Sequence, residues 1–231
     1  PGVLSLNDRW PRFDIGWGTM DFDDRTRDYL DDDGSDRNLV IWSWCGDVIT
    51  ADEAYIDLYL SKMVQLETDY PDITFVYMTG HLDGTGEEGN VHQRNNQIRD
   101  FCRANNKVLY DFADIESYDP DGTWFLPLYA NDECDYTGGN WALEWCDNNA
   151  GNELCAACEC LHSQYLNCGQ KARAFWWMLA RIAGWTPTPM ETLDCQLTCQ
   201  PAAGVLPFPV RFTATMTNTY PGFARRMAGR I

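Results

Sequence analysis

Short apolar runs alternate along the first half of the chain with longer stretches whose apolar positions recur every three or four residues. The first run, Asn38-Leu-Val-Ile-Trp-Ser-Trp44, has the length and β-branched content of a buried strand. Residues 51–69 follow, with Tyr55, Leu58, Tyr59, Met63 and Leu66 at helical spacing and charges between them. That pattern is an amphipathic helix, which Pro71 ends. A second strand is read at Ile73–Met78, a helix at Val91–Asn105 and a third strand at Lys107–Phe112. Ahead of them, Asp21–Leu30 starts a helix with an aspartate cap, broken by Asp31-Asp-Asp-Gly-Ser-Asp36. Residues 120–168 form a long loop-rich stretch, and Gly169–Gly184 reads as one helix. Strand, helix, strand, helix, strand is the order of an α/β domain with a parallel sheet and right-handed crossovers.

After Trp185 the pattern changes. Pro187, Pro189, Pro201, Pro207 and Pro209 mark a linker over 187–209. Val210–Asn218 alternates like a strand, Asn218–Gly222 looks like a turn, and Phe223–Ile231 could return. Residues 210–231 are therefore expected to be a short C-terminal β segment, either a hairpin or the start of a further module. The 231 residues suggest one sizeable domain, 1–186, with this appendage. The first residue is Pro1 and no leader is visible, which reads as a processed chain.

Charge narrows the function classes. Lys plus Arg number 17 and Asp plus Glu 35, a formal net charge of −18. Such a surface repels phosphate backbones and anionic headgroups, so general nucleic-acid binding and peripheral membrane binding are poor expectations. No apolar run approaches the ~20 residues of a membrane span. Ten cysteines point to disulfides and a secreted, extracellular or periplasmic setting. Haem attachment needs Cys-x-x-Cys-His, and Cys155-Ala-Ala-Cys158 is followed by Glu159.

In open parallel sheets, sites form in the loops at the carboxyl ends of strands. Here those loops are Ser43–Asp47, Thr79–Asp83 and Asp114–Asp121, with a fourth, Leu161-His162-Ser163, before the last helix. Of the three histidines, His81 and His162 fall in these loops, whereas His92 opens a helix on a polar face and reads as solvated.

The runs Ile41-Trp-Ser-Trp-Cys-Gly46, Phe75-Val-Tyr-Met-Thr-Gly-His-Leu-Asp-Gly84 and Asn105–Gly122, with the helix Ala174–Trp185, resemble a group of secreted bacterial proteins of the SGNH/GDSL-hydrolase superfamily. The likeness covers about residues 4–185. It implies a flavodoxin-like three-layer sheet and serine-based hydrolysis of an ester or acylated glycan, with no cofactor required. Leu161-His162-Ser163 resembles the last block of that family, so His162 would be the catalytic histidine and Glu159 the acid three residues before it. His81 and Asp83 are further catalytic candidates, and Gly46, Asp47, Gly80 and Trp44 would line the oxyanion site and cleft. The first block, which carries the nucleophile, is not identified: Pro1–Asp8 resembles sequence downstream of it, and Ser5 lacks its surroundings. Two expectations follow: an upstream segment bearing the first strand exists as a separate piece, or the fold persists as a non-catalytic scaffold.

Other chemistries compete. Cys155, Cys158, Cys160 and His162 have the donors of a zinc site, but the last interval is tight and compartment favours disulfides. Asp114, Glu116, Asp119 and Asp121 place hard oxygens in one strand-end loop and would suit Ca2+, without matching a twelve-residue calcium loop. Cys45 and Cys102 read as free buried thiols. Trp42 and Trp44 suit a cleft, while Trp124, Trp141 and Trp145 suit a small satellite core. The rival reading is a non-catalytic extracellular module that self-assembles, such as a filament or surface-layer subunit.

Overall fold

The computed structural model describes residues 20–32, 37–158 and 160–186, and the backbone of two strands, Asp194–Gln200 and Arg211–Thr217. The chain divides into two compact units, one spanning Arg12–Phe175 and the other containing Trp176 onward. The larger unit is mixed α/β around a three-stranded parallel sheet.

Helix α1 (Phe22–Asp32) leads into strand β1 (Leu39–Ile41). A 3-10 turn, Asp47–Ile49, precedes α2 (Glu53–Asp69). Then come β2 (Thr74–Met78), α3 (Asn90–Ala104), β3 (Val108–Tyr110) and the short α4 (Phe112–Glu116). The sheet order is β1-β2-β3, all parallel, with Val40 opposite Phe75 and Tyr77 opposite Leu109. The central strand is buried from Phe75 through Met78, which accounts for its unbroken apolar run. Strand β1 is shorter than its sequence suggests: the ladder stops at Ile41, and the Trp42 indole turns to donate to Thr26 Oγ1.

Helix α2 starts where the Asp52 carboxylate accepts the Tyr55 N–H at 2.8 Å, a side-chain cap worth about 1 kcal/mol. It buries Ile56, Tyr59, Leu60, Met63 and Leu66. Tyr59 is the centre of an aromatic cluster with Phe22, Trp44 and Tyr77, at ring separations of 5.8, 4.8 and 6.2 Å. Trp44 is 6% exposed and its indole donates to the Met78 carbonyl at 2.9 Å. It is core rather than the cleft lining expected of it, because an indole beside a strand end can bury its ring and still satisfy its N–H.

The stretch 120–168 is more structured than its composition implies. A 3-10 turn (Leu126–Leu128), the small hairpin β4 (Asp135–Tyr136) and β5 (Gly139–Asn140), and α5 (Trp141–Asn148) enclose a second core. Trp141 and Trp145 join Leu82, Phe125, Leu126, Cys134 and Leu166 there, whereas Trp124 stays 42% exposed and stacks on Tyr118. Helix α6 (Tyr165–Ile182) begins four residues before the position read from the sequence.

In the C-terminal part, β6 (Asp194–Gln200) pairs antiparallel with β7 (Arg211–Thr217). The partner of the expected strand at 210–218 thus lies in the segment read as linker. The expected second strand at Phe223–Ile231 lies outside the described residues.

Two disulfides, Cys146–Cys155 and Cys160–Cys168, close loops in the second core region. They are compatible with an extracellular protein. Each closes a loop of about ten residues, which in a chain-entropy account stabilises by roughly 2.5 kcal/mol. Cys102 and Cys134 are free and buried; Cys45 and Cys158 are free and exposed, so Cys45 is not the buried thiol expected. No described helix is long and apolar enough to cross a membrane. Brief alkylation of the native, unreduced protein should therefore label Cys45 and Cys158, and Cys102 and Cys134 only after denaturation. Peptide mapping by mass spectrometry reads this; fast native labelling of Cys134 would refute the placement.

Candidate functional site

The loops after β2 and β3 are joined by buried and half-buried polar side chains. Asp111, just past β3, accepts a two-armed bond from Arg99 at 2.7 and 2.8 Å and a third from the Thr79 hydroxyl at 3.0 Å. Thr79 Oγ1 in turn accepts the Ala113 N–H at 3.0 Å. Asn95, fully buried on α3, accepts the Gly80 N–H at 2.8 Å and donates to the Gly80 carbonyl at 2.9 Å. A Cβ on Gly80 would sit 2.7 Å from Val48 Cγ2, so only glycine lets the β2 loop approach the 3-10 turn.

Glu116, at the end of α4, is wholly buried. One carboxylate oxygen accepts from Lys171 Nζ at 2.7 Å, and the other from the Leu82 N–H at 2.7 Å. Lys171 also lies 4.2 Å from the Phe112 ring centroid and 3.4 Å from Ser163 Oγ. Ser163 donates to Asn167 Oδ1 at 3.1 Å, and Asn167 donates to the Ile115 carbonyl at 2.9 Å. Burial pushes the Glu116 carboxyl above its ordinary range, while Lys171 first and then the Leu82 N–H pull it back. The buried Cys134 thiol, 3.7 Å from Ser163 Oγ, is pushed up by burial as well, which makes it a poor nucleophile at neutral pH.

His81 is partly buried. Its Nδ1 lies 2.9 Å from the Leu82 carbonyl and 3.7 Å from Asp132 Oδ2. His162 is exposed, on backbone with φ of +53°, directly before Ser163. No described residue bonds to its ring. Glu159, its expected acid, lies outside the described residues. His92 is partly buried against Asn96, and burial lowers its pKa.

The remaining expected residues are dispersed. Asp83 folds its own turn, accepting the Thr85 N–H at 3.1 Å and hydroxyl at 2.6 Å. Gly46 and Asp47 start the 3-10 turn after β1. Gly80's N–H is already committed to Asn95 and is therefore not a free oxyanion donor. The four acids read as calcium ligands do not converge. Glu116 is tied to Lys171, Asp119 accepts the Asp121 and Thr123 N–H groups, Asp121 accepts the Trp145 indole, and the exposed Asp114 donates its own N–H to Asp111. Among the described residues no three metal-ligating side chains gather at all, and two of the proposed zinc thiols are consumed by disulfides.

Sequence reasoning missed Lys171, Asn95, Asn167, Arg99 and Asp132. One signal was available: Lys171 lies four residues before Phe175 on α6, and Phe175 packs on Tyr110 at 5.7 Å. A lysine on the buried stripe of a helix needs an acid partner. Compared with family models, curated proteins and solved structures, the chain matches none.

Replacing Lys171 by Met should cost about 3–5 kcal/mol at pH 7, because Glu116 is left charged and buried. The variant's Glu116 pKa rises further. A group with a raised folded pKa contributes fully below its unfolded value and loses that contribution as pH rises through the folded value. Part of the deficit should therefore disappear near pH 5. Urea unfolding at both pH values measures it; a deficit that grows on acidification would contradict it.

Proposed function

We propose that the chain carries the strand-end site of a secreted SGNH-like hydrolase acting on an ester or acylated glycan. The single observation that supports this most is the Glu116–Lys171 pair, since it draws two histidine-bearing loops to one end of a parallel sheet. Leu82 follows His81 and binds Glu116; Ser163 follows His162 and lies beside Lys171. Sites at the carboxyl ends of parallel strands are the rule in open α/β sheets. The β1-β2-β3 order, each strand beside its successor, suits one half of a flavodoxin-like three-layer fold.

In this reading His162 takes the proton of a serine hydroxyl as the oxygen attacks the acyl carbon, then returns it to the leaving alkoxide. The serine belongs to a first block that is not among the described residues around His162. Gly46 remains the backbone donor of the expected glycine pair for the oxyanion. A net charge of −18 favours a neutral or cationic substrate over an anionic one.

The native, full-length protein should hydrolyse a short-chain nitrophenyl ester, and His162→Ala should lower kcat by about 10²–10⁴-fold. Equal rates for the two proteins would remove His162 from the chemistry, and no turnover by either would remove the enzymatic reading. The second result would favour the non-catalytic extracellular module.

A further inference from the structure

We infer that His81 is a proton acceptor held in a single tautomer, and that Asp132 is its positioning residue. Both groups facing Nδ1, the Leu82 carbonyl at 2.9 Å and the Asp132 carboxylate at 3.7 Å, are acceptors. Neither has a proton to give. In the neutral ring the proton therefore sits on Nδ1 and the lone pair on Nε2. No described residue bonds to Nε2, and the His81 side chain keeps 21% of its surface in solvent.

Backbone contacts hold the arrangement in place. The Asp132 N–H donates to the same Leu82 carbonyl at 3.1 Å, which fixes the carboxylate relative to the ring. The Leu82 N–H is bound by the buried Glu116. An isolated bridge between Asp83 and Asn131 joins the two backbones at the adjoining residues. Ring, carbonyl and carboxylate thus form one unit, and Nε2 takes up a proton without a change of tautomer. The imidazolium so formed keeps its Nδ1–H toward a negative charge. This is the division of labour of a base and its orienting acid.

The role of the unit in catalysis rests on the hydrolase reading, with the water that attacks the acyl-serine ester as the proton source, the serine's own proton having gone to His162. As the water oxygen bonds to the acyl carbon, its proton passes to Nε2 and the carbonyl π pair moves to oxygen. On collapse the ester C–O bond breaks and the alkoxide takes the proton back.

The test is ¹⁵N NMR of histidine-labelled native protein at a pH where the rings are neutral, with His81 assigned by its loss in His81→Gln. The expected wild-type pattern is a protonated Nδ1 and an unprotonated Nε2. Asp132→Asn should leave the proton on Nδ1, held by the Leu82 carbonyl, but move the His81 ¹⁵N signals, with the His92 and His162 signals unmoved, and Asp132→Glu should restore them. A wild-type proton on Nε2 would overturn the inference, as would an Asp132→Asn spectrum identical to wild type. If Asp132→Asn fails to fold, the wild-type tautomer and Asp132→Glu still decide. The readout needs no turnover: a fixed Nδ1–H tautomer in a protein without esterase activity would sink the hydrolase reading and leave the His81–Asp132 assignment standing.

Discussion

The Glu116–Lys171 ion pair is the constraint on which the strand-end region depends. Removing two charges from water costs several kcal/mol per ion, and their attraction repays that only when the remaining hydrogen-bonding capacity is also met. Here the second carboxylate oxygen takes the Leu82 N–H, and the ammonium lies over Phe112 and beside Ser163. Three distant stretches of chain must therefore be in place together: the loop after β2, the end of α4 and the first turns of α6. Either charge without the other would be an unpaired ion in the core. The pair thus acts less as a source of stability than as a condition on geometry, joining the loop after β2 to the end of α4 and the first turns of α6.

The same economy runs through the acidic chain. Several of the described cations tie one element of structure to another. Arg99 ties α3 to Asp111 past β3, Lys107 pairs with Glu67, and Lys62 and Arg27 join α2 to α1 through Asp23 and Asp69. Positive charge holds the frame while the excess of acids is left to the surface. The net charge of −18 disfavours the approach of polyanions to the chain as a whole.

The sequence made the regular part of the fold legible, because period carries local information. The apolar run of β2, the 3.6-residue spacing of α2 and the order of strands and helices all follow from neighbours along the chain. The residues that weld the site do not. Asn95, Asp132 and Asn167 look like ordinary polar positions until the fold closes around them. Asp132 meets His81 across a loop whose path no periodicity describes. Trp44 shows the opposite failure. An aromatic at a strand end suggested an open cleft, yet Met78 offers its indole a carbonyl and Tyr59 offers its ring a partner, so it sinks into the core. Asp114, Glu116, Asp119 and Asp121 lie close in sequence, but each is drawn to a different partner. Short separation along a turn is no measure of convergence.

A buried ion pair clamps the loop after β2 onto α4 and α6. Native-state hydrogen exchange of the Leu82 amide tests it most directly, since that N–H is held by Glu116 itself. The clamp predicts that Leu82 exchanges only through global unfolding, with the same free energy as the β2 amides. Exchange through a low-cost local opening, at the rate of an exposed loop, would contradict it.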